Sequence, residues 1–310
     1  MSGWLGGAGR GAVWALVALA AAPALLGYAA VWEPRSAAPA AAPERPLRIV
    51  SLDYCADQYV LRLVEPDRIL ALSPDATKPF SYMRAAAVGV PTVRPVAEDV
   101  LALKPDLVVR AYGGGPNAAW FYERAGAPVL QVGWASDIDS AEIGSVVSVI
   151  AAMAEGLGAQ AEGAAVIAEY RARLAALTPR ARAGAALYLT PSGVTTGPGS
   201  LVHEMMTAAG LTNFETEPGW RPLPLERLAY EQPDVTAAAS FGAGAHGRAI
   251  WSAARHPVAR AQLDGPEVVP LEGAWTACGA WFLMDAVEAL AAGAATAAAR
   301  PRAQGPAADP

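Results

Sequence analysis

The chain has 310 residues, of which 54% are hydrophobic types and 17% are charged, so it can bury one large core or two smaller ones. Its formal net charge is -6, and its lysines and arginines are scattered singly along the sequence. Because binding a phosphate backbone requires positive charge concentrated on one face, we do not expect nucleic acid to be a partner.

The first 32 residues combine a positive start at Arg10 with the apolar run GAVWALVALAAAPALLGYAAVW. Such a segment predicts export, as a cleavable signal peptide or as an uncleaved N-terminal anchor. Pro23 and the small residues that follow favour cleavage, whereas a length of roughly 20 residues also suits an anchor. Residues 33–46 read as a Pro/Ala linker, so the folded part is expected to begin near Leu47.

Residues 47–136 alternate strand and helix patterns and predict a first lobe. The strand-like runs are RIVSL, RILALS, DLVVRAY and GAPVLQVG, and helical patterns ADQYVLRLV and EDVLAL lie between them. Short apolar strands of this kind are typical of a parallel sheet that is covered on both faces.

An Ala-rich tract at residues 137–178 predicts one long helix, capped near Asp137 to Ser140 and broken or bent near GLG. The alternation then restarts and predicts a second lobe over residues 179–291, followed by a disordered tail at 292–310. The stretches AEDVLALKPDLVV and LERLAYEQPDVTA share the order helix, Pro-Asp, strand. We therefore predict an α/β fold with two Rossmann-like lobes joined by one long helix and a ligand cleft between the lobes, at the carboxyl ends of the strands.

With RIVSLDYCADQYVLRL, VLALKPDLVV and LERLAYEQPDV in this order, the sequence resembles the helical-backbone (class III) periplasmic substrate-binding proteins. That family serves importers of vitamin B12, ferric siderophores and haem. The resemblance implies a periplasmic monomer without intrinsic cofactor or catalysis, a metal-chelate ligand, and an ABC permease with its ATPase as partners. Membrane contact would come through the permease or an uncleaved N-terminal segment.

The resemblance also implies one docking glutamate on each lobe, which would contact arginines of the permease. Glu98 and Glu226 occupy the matching positions. Exposed carboxylates at such sites set orientation and encounter rate rather than affinity. The alternative is that each is a first-turn glutamate favoured by the helix dipole.

Aromatic residues that follow predicted strands are the candidates for walls of the ligand site. Tyrosine and tryptophan combine a flat apolar face with a polar atom, which suits a bulky amphipathic chelate. The candidates are Tyr54, Tyr82, Tyr112, Trp220, Trp275 and Trp281. The alternative for any one of them is that it covers the core.

The two cysteines, Cys55 and Cys278, follow predicted strands in different lobes and leave three interpretations open. In an oxidising compartment they would form a disulfide, which could stabilise the fold by about 4 to 5 kcal/mol. Alternatively, both are thiols that face the ligand and bind a soft or borderline metal centre, or both are buried and inert. His203 is a weaker metal candidate.

Four other functions are alternatives to ligand transport. GAGAHG at 242–247 matches a dinucleotide fingerprint, but RHP soon after it would end the required helix. No G-x-S-x-G or H-E-x-x-H motif indicates a hydrolase. The remaining alternatives are a membrane-anchored adaptor without a small ligand and a Cys-mediated metal-binding protein.

Overall fold

The structure, a computed structural model, describes residues 48–139, 145–177, 184–240, 252–265 and 267–300. The predicted export segment at 1–32, the linker at 33–46, the GAGAHG motif and the last ten residues lie outside these ranges. Within them, no helix has both the length and the apolar character that crossing a bilayer requires.

The N-terminal lobe is built on a four-stranded parallel sheet with strand order β2-β1-β3-β4. Every residue of β1 and β3 is buried, as expected for a parallel sheet covered by helices on both faces. Its elements are β1 (Ile49–Ser51), α1 (Tyr54–Leu63), β2 (Ile69–Ala71), α2 (Ala97–Ala102), β3 (Leu107–Arg110), α3 (Ala118–Arg124), β4 (Val129–Gln131) and α4 (Val146–Leu157).

The Ala-rich tract at 137–178 breaks at the predicted GLG and forms two helices rather than one bent helix. Helix α4 ends at Gly158, whose φ of 64° lies in the left-handed region that favours glycine, and α5 (Gln160–Ala176) starts two residues later. The cap of α4 is Ser145, whose hydroxyl accepts a hydrogen bond from the Ser148 amide, rather than a residue between 137 and 140. Helix α4 packs on α1 and α5, so only α5 bridges the two lobes.

The C-terminal lobe has a second four-stranded parallel sheet, with order β10-β9-β5-β7, and a two-stranded antiparallel ribbon of β6 and β8. Its elements are β5 (Ala185–Leu189), β6 (Val194–Thr196), α6 (Leu201–Ala208), β7 (Thr212–Asn213), β8 (Trp220–Pro222), α7 (Leu225–Leu228), β9 (Val235–Ser240), α8 (Pro257–Leu263), β10 (Val268–Glu272), α9 (Gly273–Thr276) and α10 (Leu283–Ala299).

The predicted echo between the two halves is confirmed. Strand β9 follows α7 as β3 follows α2, and β9 lies between β5 and β10 as β3 lies between β1 and β4. The sheets therefore have equivalent strand orders, β2-β1-β3-β4 and β7-β5-β9-β10.

The second lobe extends further than the predicted end at residue 291. Helix α10 continues to Ala299 because its last third is rich in alanine, the best helix former, and because Gly293 and Ala294 are buried against the lobe. A Cβ atom at Gly293 would lie 2.3 Å from Val269 Cγ2, so this glycine permits close packing on β10. A salt bridge of 2.9 Å between Arg300 and Glu267 follows the end of the helix.

Candidate ligand-binding site

Three aromatic side chains gather at the carboxyl edge of the N-terminal sheet, and we call them the tyrosine cluster: Tyr54, Phe80 and Tyr112. The ring centroid of Tyr54 lies 5.0 Å from that of Phe80 and 5.8 Å from that of Tyr112, both in edge-to-face geometry. Tyr54 opens α1 directly after β1, and Tyr112 follows β3. Tyr112 is 52% exposed, so the cluster presents an open aromatic face.

The two phenols of this cluster are held in their neutral form. Burial raises the pKa of Tyr54, and the negative charges of Asp53 and Asp75 raise it further, against a hydrogen bond with Tyr112 that lowers it. Burial also raises the pKa of Tyr112, and Tyr54 and Asp53 act in the same direction. At neutral pH both hydroxyls therefore remain able to donate a hydrogen bond.

The C-terminal lobe contributes tryptophans at the matching edge. Trp275 lies in α9, immediately after β10, and is half-buried. Trp220 on β8 is 60% exposed and meets Tyr188 of β5 edge-on, with ring centroids 6.1 Å apart.

Trp134 also belongs to this edge and was missed from the sequence. It follows β4 and is 85% exposed. The next residue, Ala135, touches the opposite lobe, because a Cβ atom at Gly279 would lie 2.8 Å from the Ala135 Cβ. A signal for it was present in the sequence. VLQVGW contains β4, and the similar stretch VPLEGAW contains most of β10, which is the equivalent strand of the other sheet. Trp134 and Trp275 therefore follow equivalent strands.

Cys55 and Cys278 form a disulfide with Cα atoms 5.7 Å apart and 223 residues between them in sequence. The first interpretation is thus confirmed, and the alternative that both are free thiols that bind a metal is wrong, because each sulfur is bonded to the other. Contact of this disulfide with a ligand stays a prediction. Since Cys55 follows the carboxyl end of β1 and Cys278 follows that of β10, the bond brings the carboxyl edges of the two sheets together.

We call the contact region around the disulfide, where the two lobes meet, the lobe junction. Hydrogen bonds and aromatic contacts also hold the lobes together there. The Tyr59 hydroxyl donates to the Gly279 carbonyl at 2.8 Å, and the Tyr54 hydroxyl donates to that of Ala277 at 3.4 Å. Trp281 is only 8% exposed and packs edge-on against Tyr59, with centroids 5.6 Å apart. The buried side chains around these contacts form one continuous core that includes residues of both lobes.

A second set of contacts crosses the junction at Tyr82. Its ring stacks on Phe282 with centroids 4.5 Å apart, and its hydroxyl donates to Asp285 at 2.8 Å. Arg173 of the bridging helix α5 donates to the same carboxylate at 2.6 Å and to Glu288 at 2.8 Å. Burial and the contact with Asp285 raise the pKa of Tyr82 to about 12, so this phenol stays protonated.

The predicted wall residues therefore fall into two groups. Tyr54, Tyr112, Trp220 and Trp275 lie at the carboxyl edges, whereas Tyr82 and Trp281 lie in the lobe junction, held by Phe282 and its neighbours. The sequence could not separate the groups, because both follow a strand and only tertiary packing decides which side chains stay open.

The predicted docking residues are both exposed, at the same place in the repeat. Glu98 is the second residue of α2 and Glu226 the second residue of α7. Their role as permease contacts stays a prediction.

His203 lies in the first turn of α6 with its ring 3.4 Å from the Asn213 amide. Among the described residues no group of three or more His, Cys, Asp or Glu side chains is placed to hold a metal ion. A shallow depression of about 330 Å³ lined by Glu123, Gly126, Pro128 and Val129 lies at the amino end of β4, away from the aromatic edges.

A sequence model of the family described as periplasmic binding protein matches residues 49–241, more than half of the chain. The chain belongs to this family. Membership indicates ligand binding and transport rather than catalysis, and it fits a periplasmic location. No curated protein sequence is significantly similar to the chain.

Solved structures of other periplasmic binding proteins share the fold. The haem-binding protein RhuT of Roseiflexus sp. RS-1 in apo form is 22% identical, with a TM-score of 0.64 over 82% of this chain and 100% of its own. The vitamin B12-binding protein BtuF of Vibrio cholerae is 20% identical, with a TM-score of 0.58 over 82% and 99%. The haem-binding protein HutB of Vibrio cholerae is 18% identical, with a TM-score of 0.60 over 81% and 99%.

Proposed function

We propose that this periplasmic binding protein captures a metal chelate, namely haem, cobalamin or a ferric siderophore, between the aromatic edges of its two lobes and delivers it to an ABC importer. The observation that carries the proposal is the placement of exposed and half-buried aromatic rings at the carboxyl edges of both sheets, above a lobe junction that is closed by a disulfide. The rings in question are Tyr54, Phe80, Tyr112, Trp134, Trp220 and Trp275.

The chemistry of these walls suits a large planar chelate. Exposed tryptophan and tyrosine faces supply a large apolar area with few rotatable bonds to freeze, so an aromatic macrocycle gains more on binding than a small polar solute would. Trp134 and Trp220 are 85% and 60% exposed, which leaves much of each ring free for a ligand.

Polar recognition would come from the neutral phenols. The Tyr54 hydroxyl already donates to the Ala277 carbonyl, so it could only accept from a ligand, whereas the Tyr112 hydroxyl could turn to donate to carboxylate, amide or hydroxamate oxygens at the edge of a chelate. The fold relatives are consistent with this ligand class, since they include haem-binding and vitamin B12-binding proteins.

Delivery would use the two exposed glutamates. Glu98 and Glu226 stand at equivalent points of the two lobes, so a permease with an arginine pocket for each could fix the orientation of the docked protein.

The experiment is a titration of the purified protein with haemin, cyanocobalamin and a ferric hydroxamate siderophore, each followed by tryptophan fluorescence and by the absorbance of the chelate. We expect one of them to bind saturably, with a defined stoichiometry. Trp134→Ala and Trp275→Ala should each weaken that binding roughly tenfold or more, which is about 1.4 kcal/mol, as for buried aromatic anchors.

Tyr230→Ala is the matched control. Tyr230 is 92% exposed but precedes the amino end of β9, so its loss should leave the affinity unchanged. If none of the three chelates binds, or if the Tyr230 variant weakens binding as much as the tryptophan variants do, the proposed site is wrong.

A further inference from the structure

Asp53 has a buried carboxylate that is too enclosed to contact a ligand directly. It follows β1, is 3% exposed, and caps α1 by accepting a hydrogen bond from the Ala56 amide on Oδ1 at 3.0 Å. Its other oxygen, Oδ2, accepts three consecutive backbone amides, from Ala111 at 2.7 Å, Tyr112 at 3.0 Å and Gly113 at 2.8 Å. A helix cap alone needs only the first of these bonds.

Arg110 holds the same loop through its carbonyl groups. This side chain at the end of β3 is 7% exposed, and it donates to the Gly113 carbonyl at 2.7 Å and to the Gly115 carbonyl at 2.9 Å. It also donates to the Gln131 side chain at 3.0 Å, and the Gln131 amide in turn donates to the Ala111 carbonyl. Gly113 thus donates its amide to Asp53 and accepts a hydrogen bond from Arg110 on its carbonyl.

The loop held in this way is AYGGG, residues 111–115, whose composition alone would leave it mobile. Gly114 and Gly115 have φ of 80° and 85°, in the left-handed region. At Gly113 a Cβ atom would lie 2.4 Å from the Leu52 carbonyl oxygen, so the loop packs directly on the backbone after β1. The buried polar network therefore removes freedom that three glycines would otherwise give.

We propose that Asp53 is a positioning residue for the chelate site, which acts by holding the 111–115 loop and hence Tyr112 in its ligand-ready place. The inference rests on the proposed function. Because the loop is ordered before the ligand arrives, the entropy of ordering it is not lost on binding, and affinity rises accordingly. The same carboxylate caps the helix that carries Cys55, so Tyr112 is tied to the lobe junction through consecutive bonded groups.

The decisive variant is Asp53→Ser, since serine also caps a helix and is too short to reach the loop. Asp53→Asn is the second variant: asparagine has one acceptor oxygen where aspartate has two, so its side chain can satisfy the α1 cap or the three loop amides but not both. Asp106→Asn is the control: this carboxylate accepts the Arg48 amide at 2.9 Å, at the opposite edge of the same sheet.

Two measurements are made on each variant. Hydrogen exchange of the ligand-free protein reports the order of residues 111–115, and titration with haemin, cyanocobalamin and a ferric siderophore reports affinity. We expect both Asp53 variants to speed exchange of this loop and to weaken the bound chelate roughly tenfold, since several residues must then be ordered on binding. The Asp106 variant should change neither.

A double-mutant cycle separates positioning from general stabilisation. If Asp53 acts through Tyr112, Asp53→Ser should weaken binding in the wild-type background but not in a Tyr112→Ala background. Equal losses in both backgrounds, or unchanged loop exchange in the Asp53 variants, would overturn the proposal. If the wild-type protein binds none of the three chelates, the proposed function fails, and the exchange data alone then decide whether Asp53 holds the loop.

Discussion

Removal of the disulfide should lower the stability of the protein by several kcal/mol, mainly through the unfolded state. The bond closes a loop of 223 residues, and the chain-entropy relation assigns such a loop about 5 kcal/mol of stabilisation through the unfolded state. Residual structure in the unfolded chain reduces this figure, so we expect Cys55→Ala with Cys278→Ala to lower the free energy of unfolding by about 3 to 5 kcal/mol. The other junction contacts, such as Tyr59 to Gly279, should preserve the fold.

The assay is urea denaturation of the wild-type protein and of the double alanine variant, each with and without a reductant. The reductant should shift the wild-type midpoint toward that of the variant and should leave the variant unmoved. Titration of native wild-type protein with a thiol reagent should find no reactive cysteine. Two reactive thiols, or a loss of less than about 1 kcal/mol in the variant, would refute the argument from loop closure.

Two further predictions concern charge. Burial raises the pKa of the Asp57 carboxyl to about 6, above its unfolded value of about 4. The protonated carboxyl therefore stabilises the folded state below pH 4, and this stabilisation is lost as the pH rises through 6. Relative to Asp57→Asn, the wild-type protein should lose about 2 kcal/mol of unfolding free energy between pH 4 and 7 in urea titrations, and parallel pH profiles would contradict this. Glu98→Ala with Glu226→Ala should abolish cellular uptake while leaving chelate affinity intact; undiminished uptake, or an equal loss with Glu65→Ala and Glu155→Ala, would exclude docking at these residues.

The order of helices and strands could be predicted because short buried strands and Pro-Asp boundaries leave local signals. LALKPDLVV contains its own helix end and strand start, and α2 and β3 occur where it predicts them. The boundary between α4 and α5 was harder, since alanine-rich sequence favours helix on both sides and a single left-handed glycine decides the break. The extent of α10 depended on packing of Gly293 and Ala294, which no local pattern shows.

The candidate site was predicted only in outline. Position after a strand identified Tyr54, Tyr112 and Trp275, but it could not distinguish them from Trp281, whose ring packs against Tyr59 from a distant part of the chain. For Asp53 the sequence offers no signal beyond its place after a strand. Its partners lie 58 to 60 residues away, so the bonds that give it a role exist only in the folded protein.

The lobe junction constrains how a ligand could enter and leave. Separation of the lobes at this point would break a covalent bond, the Tyr59 hydrogen bond to Gly279 and the Tyr82 hydrogen bond to Asp285. By contrast, the Trp134 and Trp220 rings are largely exposed, so their rotation leaves these bonds between the lobes intact. We therefore expect exchange of the proposed chelate to require movement of exposed side chains and loops above a fixed base, which is where a docked permease would have to act to release it.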